Sequence, residues 1–140
     1  MRALLVDMGN SRVKWAVLED GRLGEQQAAS HAAWLPDDWR RNLFARRGID
    51  RVVAATVAGA SGAAALRAAT LAETGSEARF VTTTREAAGV RNGYRDPTLL
   101  GVDRWLAVIA AHRLVSGACC VVDVGTAATI DAARADGQHL

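Results

Sequence analysis

Apolar and polar positions divide the first thirty residues into three predicted strands. Residues 2–8 are almost wholly apolar, as in a buried strand, and residues 12–18 alternate between apolar and polar side chains. The Asp-Gly pair inside "EDGR" at 19–22 is a strong hairpin signal, so a third strand is expected to follow to about Ala29. The pattern therefore predicts three antiparallel strands at the start of the chain.

The next fifty residues show helical and strand patterns in turn. Two helices are predicted, each ended by a glycine: from about Asp37 to Gly48, and from Ser61 as N-cap to Gly75. The apolar runs at 50–57 and 78–83 on either side of the second helix indicate strands. Because strand–helix–strand units place their strands in parallel, the sheet is expected to be mixed and five-stranded.

The last third of the chain begins with a predicted loop over residues 87–104, which is rich in Gly, Asn and Pro. A strongly apolar helix is expected at about 103–115, ended by Ser-Gly at 116–117. A strand pair should start at 118, and "ADGQ" at 135–138 predicts one more hairpin turn.

Two segments share a pattern. Residues 6–17 (VDMGNSRVKWAV) and 122–133 (VDVGTAATIDAA) are identical at four of twelve positions: Val, Asp, Gly and Ala. Each places an acid, a glycine and small polar residues between two strands. We expect two related lobes, the first over residues 1–116 and the second present only as its first hairpin at 117–140. The chain is thus expected to be a fragment.

Composition limits the classes of function that the chain can have. A net charge of +2 gives no reason to expect a nucleic-acid partner, and no apolar run approaches the length of a membrane span. Cys119 and Cys120 are adjacent on a predicted strand and point to opposite faces, which suits two reduced thiols in the cytoplasm. The single lysine, Lys14, follows Val13, so the Gly-Lys-Ser/Thr of a Walker A loop is excluded.

The turn after the first strand has the chemistry of an anion site. Glycine lets a polyanion approach backbone N–H groups, and Asn10 and Ser11, with Thr126 and Thr129 near the second such turn, can donate hydrogen bonds to phosphate oxygens. The turns at Asp7 and Asp123 are expected to face each other across one cleft and to hold a triphosphate from both lobes. An aspartate would repel a bound anion unless a cation lay between the two. Asp7 would therefore face Mg²⁺, with the phosphates on the other side of the metal. The alternative is an ordinary hairpin, since Asp, Gly, Asn and Ser are the commonest turn residues.

Three motifs in order, "DMGNSRVKWA", "GYRDPTLLGVDRW" and "VVDVGTAATID", resemble the type III pantothenate kinases of the actin/Hsp70/sugar-kinase superfamily. The resemblance covers residue 3 to about 133. It implies an α/β fold: a ribonuclease H-like (actin-like ATPase) lobe with a mixed five-stranded sheet flanked by helices, plus the start of a second such lobe.

The resemblance also implies roles for particular residues. Asp103 would be the catalytic base, and pantothenate would be bound by Tyr94, Gly101, Val102, Asp103 and Arg104. ATP would be bound by Asp7, Met8, Gly9, Asn10, Ser11, Arg12, Val13, Lys14 and Thr126. Asp123 would bind a monovalent cation, K⁺ or NH₄⁺, and Asp7 would bind magnesium.

The activity implied is ATP-dependent phosphorylation of pantothenate to 4'-phosphopantothenate, the first step of coenzyme A biosynthesis. The family resemblance further implies a homodimer with the apolar face of 105–115 at its interface, and little activity for these 140 residues alone. Two alternatives stay open: a regulatory accessory factor of the same family, or another sugar- or acetate-type kinase.

Each candidate residue also has a structural interpretation. Asp103 could be the N-cap of the following helix, Tyr94 a plug over the core, and Arg104 a solvated arginine on the first helical turn. Lys14 could lie on a solvated strand face. Of the histidines, His31 and His139 are predicted at the surface and His112 in the core.

Overall fold

The computed structural model describes residues 1–45, 48–125 and 127–140. They form two compact units, Met1–Val81 and Thr82–Leu140. The predicted lobe boundary at residue 116 stays a prediction. Within the described ranges, no helix has the length and apolar character needed to cross a membrane.

The first unit is a six-stranded mixed sheet with two helices. Its elements are β1 (Arg2–Met8), β2 (Arg12–Glu19), β3 (Arg22–Leu23), β4 (Gln27–Ser30), α1 (Pro36–Leu43), β5 (Arg51–Thr56), α2 (Ala60–Thr74) and β6 (Arg79–Phe80). The strand order is β3-β2-β1-β5-β6, with β4 also paired to β2. Strands β1 and β2 are antiparallel, whereas β5 is parallel to both β1 and β6. The predicted mixed sheet flanked by helices is confirmed.

The predicted third strand is divided into β3 and β4. Between them the Gly24 N–H donates to the Val17 carbonyl at 2.8 Å, which interrupts the regular ladder. The hairpin before β3 is confirmed, because Asp20 (φ 49°) and Gly21 (φ 78°) both take the left-handed conformation that such two-residue turns require.

Helix α2 ends at Gly75 as predicted, with φ at 69°. The prediction that Ser61 caps its start is wrong, because the helix begins at Ala60 and its N-cap is Gly59. The Gly62 N–H donates to the Gly59 carbonyl at 3.2 Å, so the first turn closes before a serine side chain is needed.

The core of the first unit lies between the sheet and its helices. Leu4, Met8, Val13 and Leu66 are completely buried in it, and Trp39 is 3% exposed. The burial of Met8 and Val13 fixes the register of the β1–β2 hairpin, where they face each other. This core therefore holds the turn between these strands at a defined place.

The second unit contains β7 (Glu86–Ala87), β8 (Val90–Arg91), a 3₁₀ turn (Pro97–Leu99), α3 (Val102–Val115), β9 (Cys119–Val124) and β10 (Ala128–Ala133). The predicted loop over 87–104 is wrong in part, since β7 and β8 form a two-residue hairpin. Ala88 and Gly89 are both left-handed at its tip, with φ at 50° and 83°. An alanine at positive φ gives little sequence signal for such a turn.

Helix α3 and the antiparallel β9–β10 pair confirm the predicted helix and strand pair, whereas His112, predicted in the core, is only partly buried. The helix ends at left-handed Ser116, and the "ADGQ" turn closes through Gly137, with the Arg134 N–H donating to the Gln138 carbonyl at 2.9 Å. Cys119 packs against the core while Cys120 is exposed, and both are free thiols.

The core of the second unit is small: Val90, Leu100, Trp105, Val108 and Ala133. Three polar residues are also buried in this unit: Asn92 and Asp131 at 4% exposure and His139 at 1%. Buried polar groups are costly unless paired, so their partners decide what this region does.

Candidate functional site

The first group of candidate residues is the turn between β1 and β2. Its Gly9 N–H donates to the Arg12 carbonyl at 2.9 Å, which closes the turn. The side chains of Asn10, Ser11 and Arg12 are exposed. The predicted polar donors therefore face solvent, where an anion could reach them.

Met8 and Val13, also predicted to bind ATP, are fully buried core residues. The Met8 carbonyl accepts a hydrogen bond from the Val57 N–H at 3.0 Å. These two residues can contact a nucleotide only through backbone atoms, and their side chains instead anchor the turn in the core.

Asp7 and Lys14 face each other across the hairpin. The Lys14 Nζ lies 3.9 Å from the Asp7 Oδ2, and each side chain is about half exposed, at 51% and 50%. A carboxylate oxygen at a solvent-facing turn is the kind of ligand that Mg²⁺ takes together with phosphate oxygens and water. The residues present thus fit a magnesium held through Asp7, with Lys14 as a neighbouring positive charge.

His31 contacts this turn, although the sequence pattern placed it at the surface. Its Nε2 lies 2.8 Å from the Gly9 carbonyl oxygen, so it donates there, and its N–H donates to the Ser11 carbonyl at 3.2 Å. The ring also lies 5.5 Å from that of Trp39. The antiparallel register of the third strand on β2 was the signal that could have found this contact.

The second group surrounds the start of α3. Gly101 is the N-cap, and its carbonyl accepts the Trp105 N–H at 3.0 Å. Val102 is buried, so only its backbone is available to a ligand. Asp103 lies in the first turn, where its Oδ1 accepts the Arg104 N–H at 2.8 Å. The alternative in which Asp103 itself is the N-cap is wrong, because the helix starts one residue earlier.

Arg104 forms a two-pronged ion pair with a residue that the sequence analysis did not select, Asp131 of β10. Its Nε donates to Oδ2 at 2.8 Å and its Nη2 to Oδ1 at 2.7 Å. The Tyr94 hydroxyl lies 3.5 Å from the Arg104 Nη1. The hydrogen bonds from Arg104 hold the pKa of the Asp131 carboxyl below its usual value, against the opposite effect of burial.

His139 completes this network. Its Nε2 lies 3.0 Å from Asp131 Oδ1, and its Nδ1 accepts the Gly93 N–H at 3.3 Å. Because Nδ1 is the acceptor, the proton is on Nε2, which donates to Asp131. The ring stacks on Tyr94, with centroids 6.0 Å apart and planes at 14°. The prediction of a surface His139 is therefore wrong.

Asp123, the predicted ligand of a monovalent cation, is exposed on β9 directly opposite Thr129 of β10. Opposed residues share a face of a sheet, so a carboxylate and a hydroxyl oxygen lie on the same side, together with Asp131 two residues along. Oxygen donors suit K⁺. Among the described residues no three His, Cys, Asp or Glu side chains form a metal cluster. Thr126 lies outside the described residues.

Tyr94, Arg104 and the start of α3 are thus brought together, as are Asp7 and the polar turn residues. The predicted pairing of the Asp7 and Asp123 turns across one cleft involves both units and stays a prediction.

A family model described as type III pantothenate kinase matches residues 3–140. The chain belongs to this family. Curated type III pantothenate kinases match it along nearly its whole length. The Aromatoleum aromaticum kinase is 43% identical over 137 residues, covering 96% of this chain and 54% of the relative. That of Pseudomonas fluorescens is 41% identical over 144 residues, covering 98% and 55%. The chain thus spans about half the length of these relatives.

The solved structures that align with this pantothenate kinase family member are less similar to it than these sequence relatives are. YeaZ from Pseudomonas aeruginosa aligns with a TM-score of 0.46 and 12% identity, over 95% of this chain and 59% of YeaZ. The Aquifex aeolicus PPX-GPPA enzyme aligns with a TM-score of 0.42 and 14% identity, over 97% and 49%. The family assignment rests on the sequence matches, and the fold that the structure shows is a mixed sheet with flanking helices.

Proposed function

We propose that the protein phosphorylates pantothenate with ATP to give 4'-phosphopantothenate, the first step of coenzyme A biosynthesis. The observation that carries the proposal is the cluster at the start of α3. There Asp103 and Arg104 are adjacent, and the hydroxyl of Tyr94 lies 3.5 Å from the guanidinium of Arg104. A cationic guanidinium beside a phenol suits a carboxylate, and an adjacent aspartate suits a hydroxyl acceptor.

In the proposed reaction, Asp103 orients the primary hydroxyl of pantothenate and accepts its proton. The hydroxyl oxygen forms a bond to the γ-phosphorus of ATP while the bond to the β–γ bridging oxygen breaks and ADP leaves. Because phosphoryl transfer passes through a loose transition state, Asp103 contributes mainly position and late proton acceptance. Its first-turn hydrogen bond to the Arg104 N–H is compatible with this role.

The ATP phosphates would be bound by the β1–β2 turn. Asn10 and Ser11 donate hydrogen bonds, Lys14 and Arg12 supply positive charge, and Gly9 allows close approach. Magnesium, held through Asp7, would supply charge neutralisation on the phosphates. K⁺ or NH₄⁺ would be held through Asp123, and Thr126 would contact ATP.

The test is ADP release by the complete product of the gene that encodes this chain, alongside the 140-residue chain. Pantothenate, glucose and acetate are compared as acceptors, with and without K⁺ and Mg²⁺. We expect turnover only with pantothenate and both cations, and at least about a hundredfold loss in Asp103→Asn. Asp136→Asn, which removes an exposed carboxylate of the same unit, is the control.

Other results would favour the alternatives. Turnover with glucose or acetate would indicate another kinase of the superfamily. No turnover with any acceptor in the complete protein would indicate a regulatory role and refute the proposal.

We also propose a homodimer in the cytoplasm. Trp105 and Val108 of α3 are buried within their own unit, but Leu106, Leu114 and Val115 are exposed, at 37%, 85% and 58%. Exposed apolar side chains on a helix are a feature expected at a subunit interface. The free thiols of the second unit suit a reducing compartment. Sedimentation equilibrium of the complete protein measures its subunit number.

A further inference from the structure

Asp131 has no role in the proposed reaction, yet it is the centre of the polar network in the second unit. Its side chain is 4% exposed and accepts three hydrogen bonds, two from Arg104 and one from His139. A buried carboxylate is retained only with partners of this quality. It lies behind Arg104, the predicted substrate-binding arginine, and so can fix the orientation of the guanidinium.

The contacts divide the guanidinium of Arg104 into two edges. Asp131 occupies Nε and one hydrogen of Nη2. A guanidinium has five N–H donors, so the outer edge, formed by Nη1 and the second hydrogen of Nη2, still offers a parallel pair. The Tyr94 hydroxyl lies beside Nη1 at 3.5 Å, and the Arg104 side chain remains 27% exposed.

We propose that Asp131, held by His139, is a positioning residue that presents the outer edge of Arg104 and the Tyr94 hydroxyl to the carboxylate of the acceptor. This inference rests on the proposed function. It makes Asp131 a determinant of selectivity for an acid over its uncharged analogue, because without Asp131 the guanidinium can rotate away from the carboxylate position.

His139 connects both halves of this arrangement. Its Nε2 donates to Asp131 while its Nδ1 accepts the Gly93 N–H, so each ring nitrogen has one assigned partner. The stacked Tyr94 ring is held by the same imidazole. A single buried side chain therefore fixes the arginine, through Asp131, and the tyrosine directly.

If the ion pair between Asp131 and Arg104 were purely structural, its loss would affect acceptors with and without a carboxylate equally. Comparing two such acceptors therefore distinguishes a positioning role from a structural one. The complete gene product is assayed with pantothenate and with pantothenyl alcohol, which keeps the reacting hydroxyl but has no carboxylate. For Asp131→Asn we expect kcat/KM for pantothenate to fall at least tenfold, mostly through KM. For the alcohol we expect less than a threefold change. Asp136→Asn should leave both substrates unaffected.

His139 provides a second pair of variants. His139→Gln retains an amide donor for Asp131 and should keep kcat/KM for pantothenate within about threefold of wild type, whereas His139→Leu should behave like Asp131→Asn. Equal losses for pantothenate and the alcohol would overturn the proposal. If Asp131→Asn fails to fold, the histidine pair carries the same comparison.

A measurement without substrate separates this proposal from the proposed function. In the 140-residue chain, NMR should show the Arg104 Nε–H in slow exchange with water, and fast exchange in His139→Leu. A rapidly exchanging Nε–H in the wild type would contradict the positioning by Asp131. Absence of pantothenate turnover in the wild type would refute the proposed function and the carboxylate role, while this signal would still decide the geometry.

Discussion

Replacement of Asp131 by Asn should destabilise the second unit substantially. The amide keeps one acceptor oxygen but places an NH₂ group against the donors of Arg104 or His139. Removing one partner of a buried ion pair costs roughly 3–5 kcal/mol. Because Arg104 is 27% exposed and can recruit water, we expect the lower end, about 3 kcal/mol at pH 7.

The same reasoning gives the pH dependence. Arg104, and to a lesser degree His139, lower the pKa of Asp131 in the folded state, so the unfolded chain binds the proton more readily. The stabilisation is therefore complete above the unfolded value of about 3.9 and is lost as the pH falls through the folded value. Asp96 and Asp136 also have lowered pKa values, but both remain in the variant and cancel in the comparison.

Amide hydrogen exchange of α3 measures the unfolding free energy of this unit separately from the first. Wild type and Asp131→Asn should differ by about 3 kcal/mol at pH 7, and the difference should shrink progressively as the pH falls below about 3.9, because the unfolded wild-type chain then takes up a proton that folded Asp131 resists. Asp136→Asn should be much milder. A gap below about 1 kcal/mol at pH 7, or one that does not shrink with acid, would show that the ion pair is not the dominant contribution.

Two further predictions concern packing and the backbone. Leu66→Ala in α2, at a fully buried position, should cost about 3 kcal/mol, whereas Leu71→Ala, 55% exposed on the same helix, should stay within about 0.5 kcal/mol in urea unfolding. Gly137→Ala should lower the Tm more than Gly75→Ala. Both have positive φ, but an added Cβ at 137 meets the Gly89 carbonyl while the one at 75 meets nothing. Equal Tm shifts would contradict the steric part of this argument.

The sequence predicted the turns, helices and strands that are determined by neighbouring residues. An Asp-Gly pair forces the turn at 20–21, a long apolar run specifies α3, and alternation on β2 sets which residues enter the core. The N-cap of α2 was misplaced because Ala60 is itself a good helix former and extends the helix past Ser61 to Gly59. Shifting the start of a helix by two residues changes the free energy of folding only slightly.

The candidate site was predicted only where a motif marked it. Asp103, Arg104 and Tyr94 follow from the family motif, whereas Asp131 and His139 have no local signal. The burial of His139 depends on stacking with Tyr94, which precedes it by 45 residues, and on the hairpin that returns it to Asp131. Contacts of this range come from topology, which the sequence pattern gives only in outline.

Strand β10 shows how the site overrides local hydrophobicity. Its alternation offers Ile130 on one face and Asp131 on the other, and burial of apolar area alone would turn Ile130 inward. The structure does the opposite: Ile130 is 70% exposed and Asp131 is 4% exposed. This register is stable because Arg104 and His139 saturate the buried carboxylate, so an unsatisfied charge is avoided. The residues that determine which face of β10 is buried are therefore the same residues that we propose position the acceptor.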